Sequence, residues 1–328
     1  MGMPKLGSPL IVLVIAVASG SCSSPSGDTS GPPGLTPVKG AYFGTHFSAS
    51  LPDRRARIRQ LERDLGLPFT IDHVYYRWDD KFPAKYDRWT LSRGRMLFVN
   101  WTTHTDMGPP VKFSDITSGD LDDVIDARAR NVAALDERVL IGFAHEPGAL
   151  IGVGGSKSGT ESEYVEAWQH VVSRFDAAGA SNVSWVWTLT AFEFTSGDPV
   201  RFYPGDDVVD WVGVDGYVNI KCPWLNVPWS SWTNVFGAAN DFAVSRGKPL
   251  IVAEFGLRED PDHRERKADW LRASIGEIAR MKSLKAVVSF NSEADCASYL
   301  VTSPAALRAY REMSQSLRSS AGVRRGGQ

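Results

Sequence analysis

Two apolar runs, Val139-Leu140-Ile141-Gly142-Phe143 and Pro249-Leu250-Ile251-Val252-Ala253, have no polar residue to face solvent. Uninterrupted runs of this length are the pattern of parallel strands covered on both faces. Similar strand-like segments begin near Ala41, Thr70, Met96, Asn182, Asp210 and Lys285, giving eight in all, on average about 35 residues apart. That is the period of a β-strand followed by a helix. The segments between them carry helical stripes. Ile58, Leu61 and Leu65 share one face and stop at Gly66; Val165, Trp168, Val172 and Phe175 make a second stripe. Leu271, Ile275 and Ile278 make a third, and Leu307, Tyr310, Met313 and Leu317 a fourth after the capping pair Ser303-Pro304. The stretch between the third and fourth strands has no clear period. The pattern predicts an α/β fold, a single-domain (β/α)8 TIM barrel over residues 41–318.

The ends of the two apolar runs are where chemistry is expected. Glu146 follows the fourth strand and Glu254 closes the seventh. An unpaired buried carboxylate costs several kcal/mol, so a glutamate ending an apolar strand needs a reason. Active sites of parallel barrels lie at the C-terminal strand ends, and two carboxyl groups flanking one bond are what glycosidic cleavage requires. Taken singly, each glutamate is equally well a salt-bridge partner or a helix cap.

Composition narrows the choice. The net charge of −2 gives no polyanion-binding surface, so nucleic acid is not an expected partner. Among eleven Trp and nine Tyr, Trp78, Trp101, Trp187, Trp224, Trp229 and Trp232 fall near strand ends or in loops, where flat rings either stack on sugars or anchor the core. Arg77-Trp78-Asp79-Asp80 reads either as a sugar-binding loop or as a solvated one. The segment Gly152 to Ser158 lacks the Gly before Lys of a phosphate loop, and no Gly-x-Ser-x-Gly elbow is present. No Cys/His cluster has zinc spacing, so neither metal nor cofactor is expected.

The N-terminus reads as an export signal over 1–21, with Lys5 ahead of the short apolar run Leu10 to Ala18. Cys22, followed by a Ser/Gly/Pro-rich tether over 22–40, resembles a bacterial lipoprotein acceptor, although Ser19 stands where an aliphatic residue is usual. Ala16-Val17-Ala18 offers ordinary cleavage instead. The expectation is an exported protein, secreted or held at the cell envelope by a lipid on Cys22. Cys222 and Cys296 are then a pair in an oxidising compartment, bridged or, alternatively, two buried thiols. Residues 319–328 read as a disordered tail.

Taken together, His145-Glu146, Trp211-Val212-Gly213-Val214-Asp215-Gly216-Tyr217, Glu254-Phe255-Gly256 and the ending Phe290-Asn291, Asp295 and Ala306 to Arg311 resemble glycoside hydrolase family 26, the β-mannanase family of the retaining (β/α)8 clan. The similarity spans about Ala41 to Met313. It implies Glu146 as general acid/base and Glu254 as nucleophile, with Tyr217 donating a hydrogen bond to Glu254. Sugar-binding candidates are His145, Tyr217, Trp187, Trp78, Trp101 and His46, and Asp215 is assigned to bracing the sixth-strand turn. Two departures bear on specificity. Gly142-Phe143 stands where the family has Arg-Pro, and Gly148 where it has Asn. The expected activity is retaining hydrolysis of a β-linked polysaccharide or oligosaccharide by a monomer. β-Mannan comes first, and a β-glucan or cell-envelope glycan second. The rival is a carbohydrate-binding lipoprotein that lost turnover.

Overall fold

The structure, a computed structural model, describes residues 36–37, 40–48, 51–152, 157–223, 226–294 and 297–318. The export signal, Cys22, the tail from 319, Trp224 and Cys296 lie outside the described residues, as does nearly all of the tether. Eight parallel strands close into a barrel: β1 (Tyr42–His46), β2 (Ile71–Tyr76), β3 (Met96–Trp101), β4 (Val139–Phe143), β5 (Val183–Thr190), β6 (Trp211–Val218), β7 (Leu250–Leu257) and β8 (Leu284–Phe290). Each starts within one residue of its predicted position. Each strand pairs with its sequence neighbours, and β1 closes on β8.

Ten helices are described. They are α1 (Leu51–Leu65), α2 (Lys85–Ser92), α3 (Phe113–Thr117), α4 (Asp122–Ala133), α5 (Pro147–Leu150), α6 (Glu161–Ala177), α7 (Ala191–Ser196), α8 (Trp232–Arg246), α9 (Arg266–Ile278) and α10 (Pro304–Arg318). The stretch without a clear period holds α3 and α4. Each of these short helices buries only a few side chains, too few to print a long stripe.

The barrel has two separate apolar layers because successive strand residues face opposite sides. Ile71, Phe98, Leu140, Val186, Trp211, Ile251, Ala286 and Val288 form the interior plug. Their alternates, such as Leu97, Val99 and Trp101 on β3, pack outward beneath the helices. The upper interior is polar, with Asn100 and Thr188 both fully or nearly fully buried. Gly142 sits against Asn100: a Cβ there would run into the Asn100 Oδ1.

Alternation for Trp101 and Trp187, and burial for Trp78 just beyond β2, overturn three of the sugar-binding candidates. Trp101, Trp78 and Trp187 lie near strand ends, but all three are buried in the outer layer and none faces the barrel mouth as a free platform. Trp101 shares the outward parity of Leu97 and Val99, and stacks on Trp78 with ring centroids 4.6 Å apart. The Arg128 guanidinium covers Trp101 at 4.4 Å. Trp187 donates from Nε1 to the Phe202 carbonyl at 2.9 Å and packs against Tyr203 and Phe242. Nearness to a strand end does not decide which face a side chain takes.

A candidate active site at the barrel mouth

Glu146 lies just past β4, where the chain turns sharply into α5. Ala144 and Glu146 both have left-handed backbones, φ 45° and 51°. Such conformations cost non-glycine residues about 1–3 kcal/mol and persist where surroundings over-determine them. Here the neighbouring strands do so. The Ala144 N–H donates to the Trp101 carbonyl at 2.9 Å, and the Glu146 N–H to the Thr188 carbonyl at 3.0 Å. The turn is therefore clamped between β3 and β5, and Glu146 keeps part of its surface open at the mouth.

Glu254 reaches the interior through a register shift. Val214 pairs with Val252, but the next residue on β6, Asp215, pairs with Glu254, which leaves Ala253 as an extra residue on β7. Ile251 and Ala253 both belong to the interior plug, so simple alternation would turn Glu254 outward. The bulge re-aims it inward, a recognised use of bulges beside active sites.

Two tyrosines then hold the Glu254 carboxylate. Tyr75, on β2 across the barrel, donates to Oε1, and Tyr217, on β6, donates to Oε2. The Tyr217 bond is the one expected from sequence; Tyr75 was missed. Its signal was the inward parity of Ile71, His73 and Tyr75 on β2. His46 supports Tyr75 from below rather than standing free for substrate. Its ring meets Tyr75 edge-on at 4.7 Å and stacks on Phe290 at 4.9 Å. Its Nδ1 donates to the His73 carbonyl at 2.9 Å and its Nε2 pairs with Ser48 Oγ at 2.9 Å. Burial, reinforced by the Arg54 charge, holds His46 neutral by lowering its pKa well below the usual value. His145 lies 5.4 Å from Tyr75 between ring centroids; burial lowers its pKa to about 4.

The carboxyl groups differ in proton affinity. Burial, then the charges of Glu254 and Glu193, push Glu146 up to about 8. Burial also raises Glu254, but the Tyr217 and Tyr75 hydroxyls oppose that by stabilising its charge. Asp215 is raised well above the usual carboxylate range, by burial and then by the Glu254, Glu146 and Glu193 charges. Neither Asp215 oxygen has a donor among the described residues. Its interaction with Glu146 becomes a hydrogen bond only when one of the two carries a proton, so that proton is shared. Asp215 thus belongs to the carboxylate cluster and does more than brace a turn. Glu193, on α7, is the other residue that sequence reading missed.

Around the mouth, Cys222 follows the two-residue strand Ile220–Lys221 and is disulfide-bonded, while Cys296 lies outside the described residues. No group of three or more His, Cys, Asp or Glu among the described residues is arranged to hold a metal. A cavity of about 380 Å³ lined by Ala41, Lys282, Leu284, Lys285, Met313 and Leu317 opens at the opposite end of the strands, away from both glutamates.

A parallel eight-stranded barrel with two glutamates at its C-terminal mouth, one of them held by two phenol hydroxyls, carries the groups that acid/base chemistry on a bound substrate requires. Residues 106–261 match the model of glycosyl hydrolase family 26, the family whose motifs the sequence resembles. Over 284 residues it is 28% identical to endoglucanase H of Acetivibrio thermocellus, covering 83% of this chain and 30% of that protein. A β-1,3-xylanase from Vibrio sp. is 30% identical over 143 residues, 43% of this chain and 28% of that protein. The chain thus matches less than a third of the length of these relatives. Among solved structures, a family 26 β-mannanase from Bacteroides ovatus superposes with TM-score 0.59 at 15% identity, covering 86% of this chain and 90% of that one. A Cellulomonas fimi endo-β-1,4-mannanase gives TM-score 0.59 at 16% identity, covering 84% and 70%. At these identities the structural likeness speaks for the fold.

Proposed function

We propose that the protein is a retaining glycoside hydrolase of β-linked polysaccharides, with Glu254 as nucleophile and Glu146 as general acid/base. The observation that carries this reading is the asymmetry of the pair. Two phenol hydroxyls favour the charged form of Glu254, while burial and neighbouring negative charge keep the proton on Glu146. In the first step the Glu254 carboxylate attacks the anomeric carbon and the C–O bond to the leaving sugar breaks. Glu146 delivers its proton to the departing oxygen. The resulting ester removes the Glu254 charge, which is one of the causes raising Glu146. Glu146 then holds its proton less tightly and serves as base toward the water that hydrolyses the ester.

β-Mannan is the substrate that the family resemblance implies. A β-glucan is the second reading, favoured by the endoglucanase match over 83% of the chain and by Gly148 at the wall beside the acid. The full chain is to be incubated with β-1,4-mannan, mixed-linkage β-glucan and β-1,3-xylan, following new reducing ends and the anomeric configuration of the first product by NMR. Release of the β-anomer supports the reading. No cleavage of any glycan, or an inverted product, refutes it. We further propose export with lipid attachment at Cys22, and a monomeric enzyme; mass of the Cys22 peptide from the native host and sedimentation of the soluble chain test these.

A further inference from the structure

Glu193 is over nine-tenths buried on α7, and its two carboxylate oxygens have different surroundings. Oε2 completes a capping box, accepting from the Thr190 N–H at 2.8 Å and from Thr190 Oγ1 at 3.0 Å. Capping explains that oxygen entirely. Oε1 has no donor among the described residues and lies over Gly148, the second residue after Glu146: a Cβ at position 148 would collide with it. The glycine is required by space here, since its backbone φ is not among the positive ones. Glu193 Oε1 therefore fills the part of the wall that a side chain at 148 would occupy.

This wall is on the acid's side of the cleft. Glu193 acts on Glu146 and Asp215, whereas the groups acting on Glu254 are Tyr217 and Tyr75. The sugar that departs with the proton from Glu146 must lie on that side. Glu193 Oε1 is not among the fully buried unpartnered oxygens, so it stays open to a donor arriving at the mouth, where a substrate hydroxyl can take the place of solvent. Sugar hydroxyls are donors of the right kind, and bonds to a charged acceptor are the stronger class.

Building on the hydrolase reading, we propose that Glu193 is a specificity-determining residue of the leaving-group side, accepting a hydroxyl hydrogen bond from the sugar beyond the scissile bond. Glu193→Gln tests this without dismantling α7, because Gln also serves in a capping box. The Thr190 N–H needs an acceptor, so the Gln carbonyl takes the capping position and its NH2 faces the cleft, placing a donor where an acceptor stood.

The assay compares wild type and Glu193→Gln by kcat/KM, and by calorimetric affinity in a Glu254→Ala background. The probes are β-1,4-mannohexaose, a mixed-linkage β-glucan hexasaccharide and β-1,3-xylohexaose. We expect a melting temperature within about 2 °C of wild type, since the cap persists. kcat/KM and affinity for the cleaved oligosaccharide should both fall tenfold or more. The kcat/KM loss should exceed by at least tenfold the loss on the corresponding 4-nitrophenyl glycoside, whose leaving group offers no sugar hydroxyl. Cleavage by wild type with unchanged oligosaccharide kinetics in the variant, or equal losses on both substrate types, overturns the role of Glu193 and leaves the hydrolase reading standing. Failure of wild type to bind or cleave any of the three sinks the hydrolase reading, and Glu193's role with it.

Discussion

Replacing Glu146 by Gln should make the protein more stable at alkaline pH and leave it nearly unchanged in acid. In the folded state Glu146 binds its proton up to about pH 8, against an ordinary value of 4.5. Below 4.5 both states hold the proton and the side chain is neutral in each, much as Gln would be. As pH rises from 4.5 toward 8 the unfolded chain releases the proton while the folded one retains it. Folding therefore weakens through that window, and the loss is complete once pH passes about 8. At ~1.4 kcal/mol per unit the full displacement corresponds to ~5 kcal/mol. Solvent at the barrel mouth and the proton shared with Asp215 reduce that, and we expect about 3 kcal/mol. Glu146→Gln has no such titration, so its advantage should grow from about zero at pH 4 to about 3 kcal/mol at pH 8.5, roughly 6–12 °C in melting temperature. Gln also removes the Glu146 charge that helps raise Asp215, which adds to the variant's advantage at alkaline pH. The assay is urea unfolding followed by tryptophan fluorescence at half-unit pH intervals. A pH-independent difference, or a wild type more stable than the variant at pH 8.5, would refute the assignment of the proton to Glu146.

Four other outcomes follow from the same geometry. Activity should be bell-shaped in pH, with the alkaline limb near 8 where Glu146 deprotonates and the acidic limb above the usual glutamate value because Glu254 is raised; a profile flat to pH 10 contradicts this. Glu254→Ala should abolish turnover on all substrates, while Glu146→Ala should retain more activity on aryl glycosides with good leaving groups than on natural linkages; near wild-type turnover by both on a natural glycan rejects the pair. Tyr217→Phe and Tyr75→Phe each remove a donor to a charged acceptor, worth about 1.5–3 kcal/mol, so each should slow catalysis tenfold to a hundredfold and move the acidic limb upward, as Glu254 loses a group that favours its charge. Unchanged kinetics for either variant assigns that ring to packing or stacking alone. Asp72→Asn should destabilise the fold by about 3–5 kcal/mol in denaturant unfolding, because Arg54, paired with Asp72 at 2.6 Å, would keep a buried charge without its counter-ion.

The local pattern of the chain determined the architecture. Continuous apolar runs and helical stripes recur with a βα period, and burying a strand on both faces leaves few alternatives to a parallel barrel. The two glutamates were also legible, because a carboxylate at the end of an apolar run is too costly to be incidental. Tertiary structure decided which side chains meet. Trp101 and Trp187 fall one residue away from the inward positions Asn100 and Thr188, and a shift of one residue exchanges the site for the outer core. Glu254 points inward only because Ala253 forms a bulge against β6, a feature of strand pairing that one strand's sequence does not carry. Tyr75 meets Glu254 across the barrel, 179 positions away in sequence, through barrel closure. Glu193 resembles an ordinary capping-box residue in sequence, and its second oxygen acquires meaning only when the turn after β4 brings Gly148 beneath it. Periodicity records what each segment must bury. Register, bulges and closure set the distances between segments, and the chemistry depends on those distances.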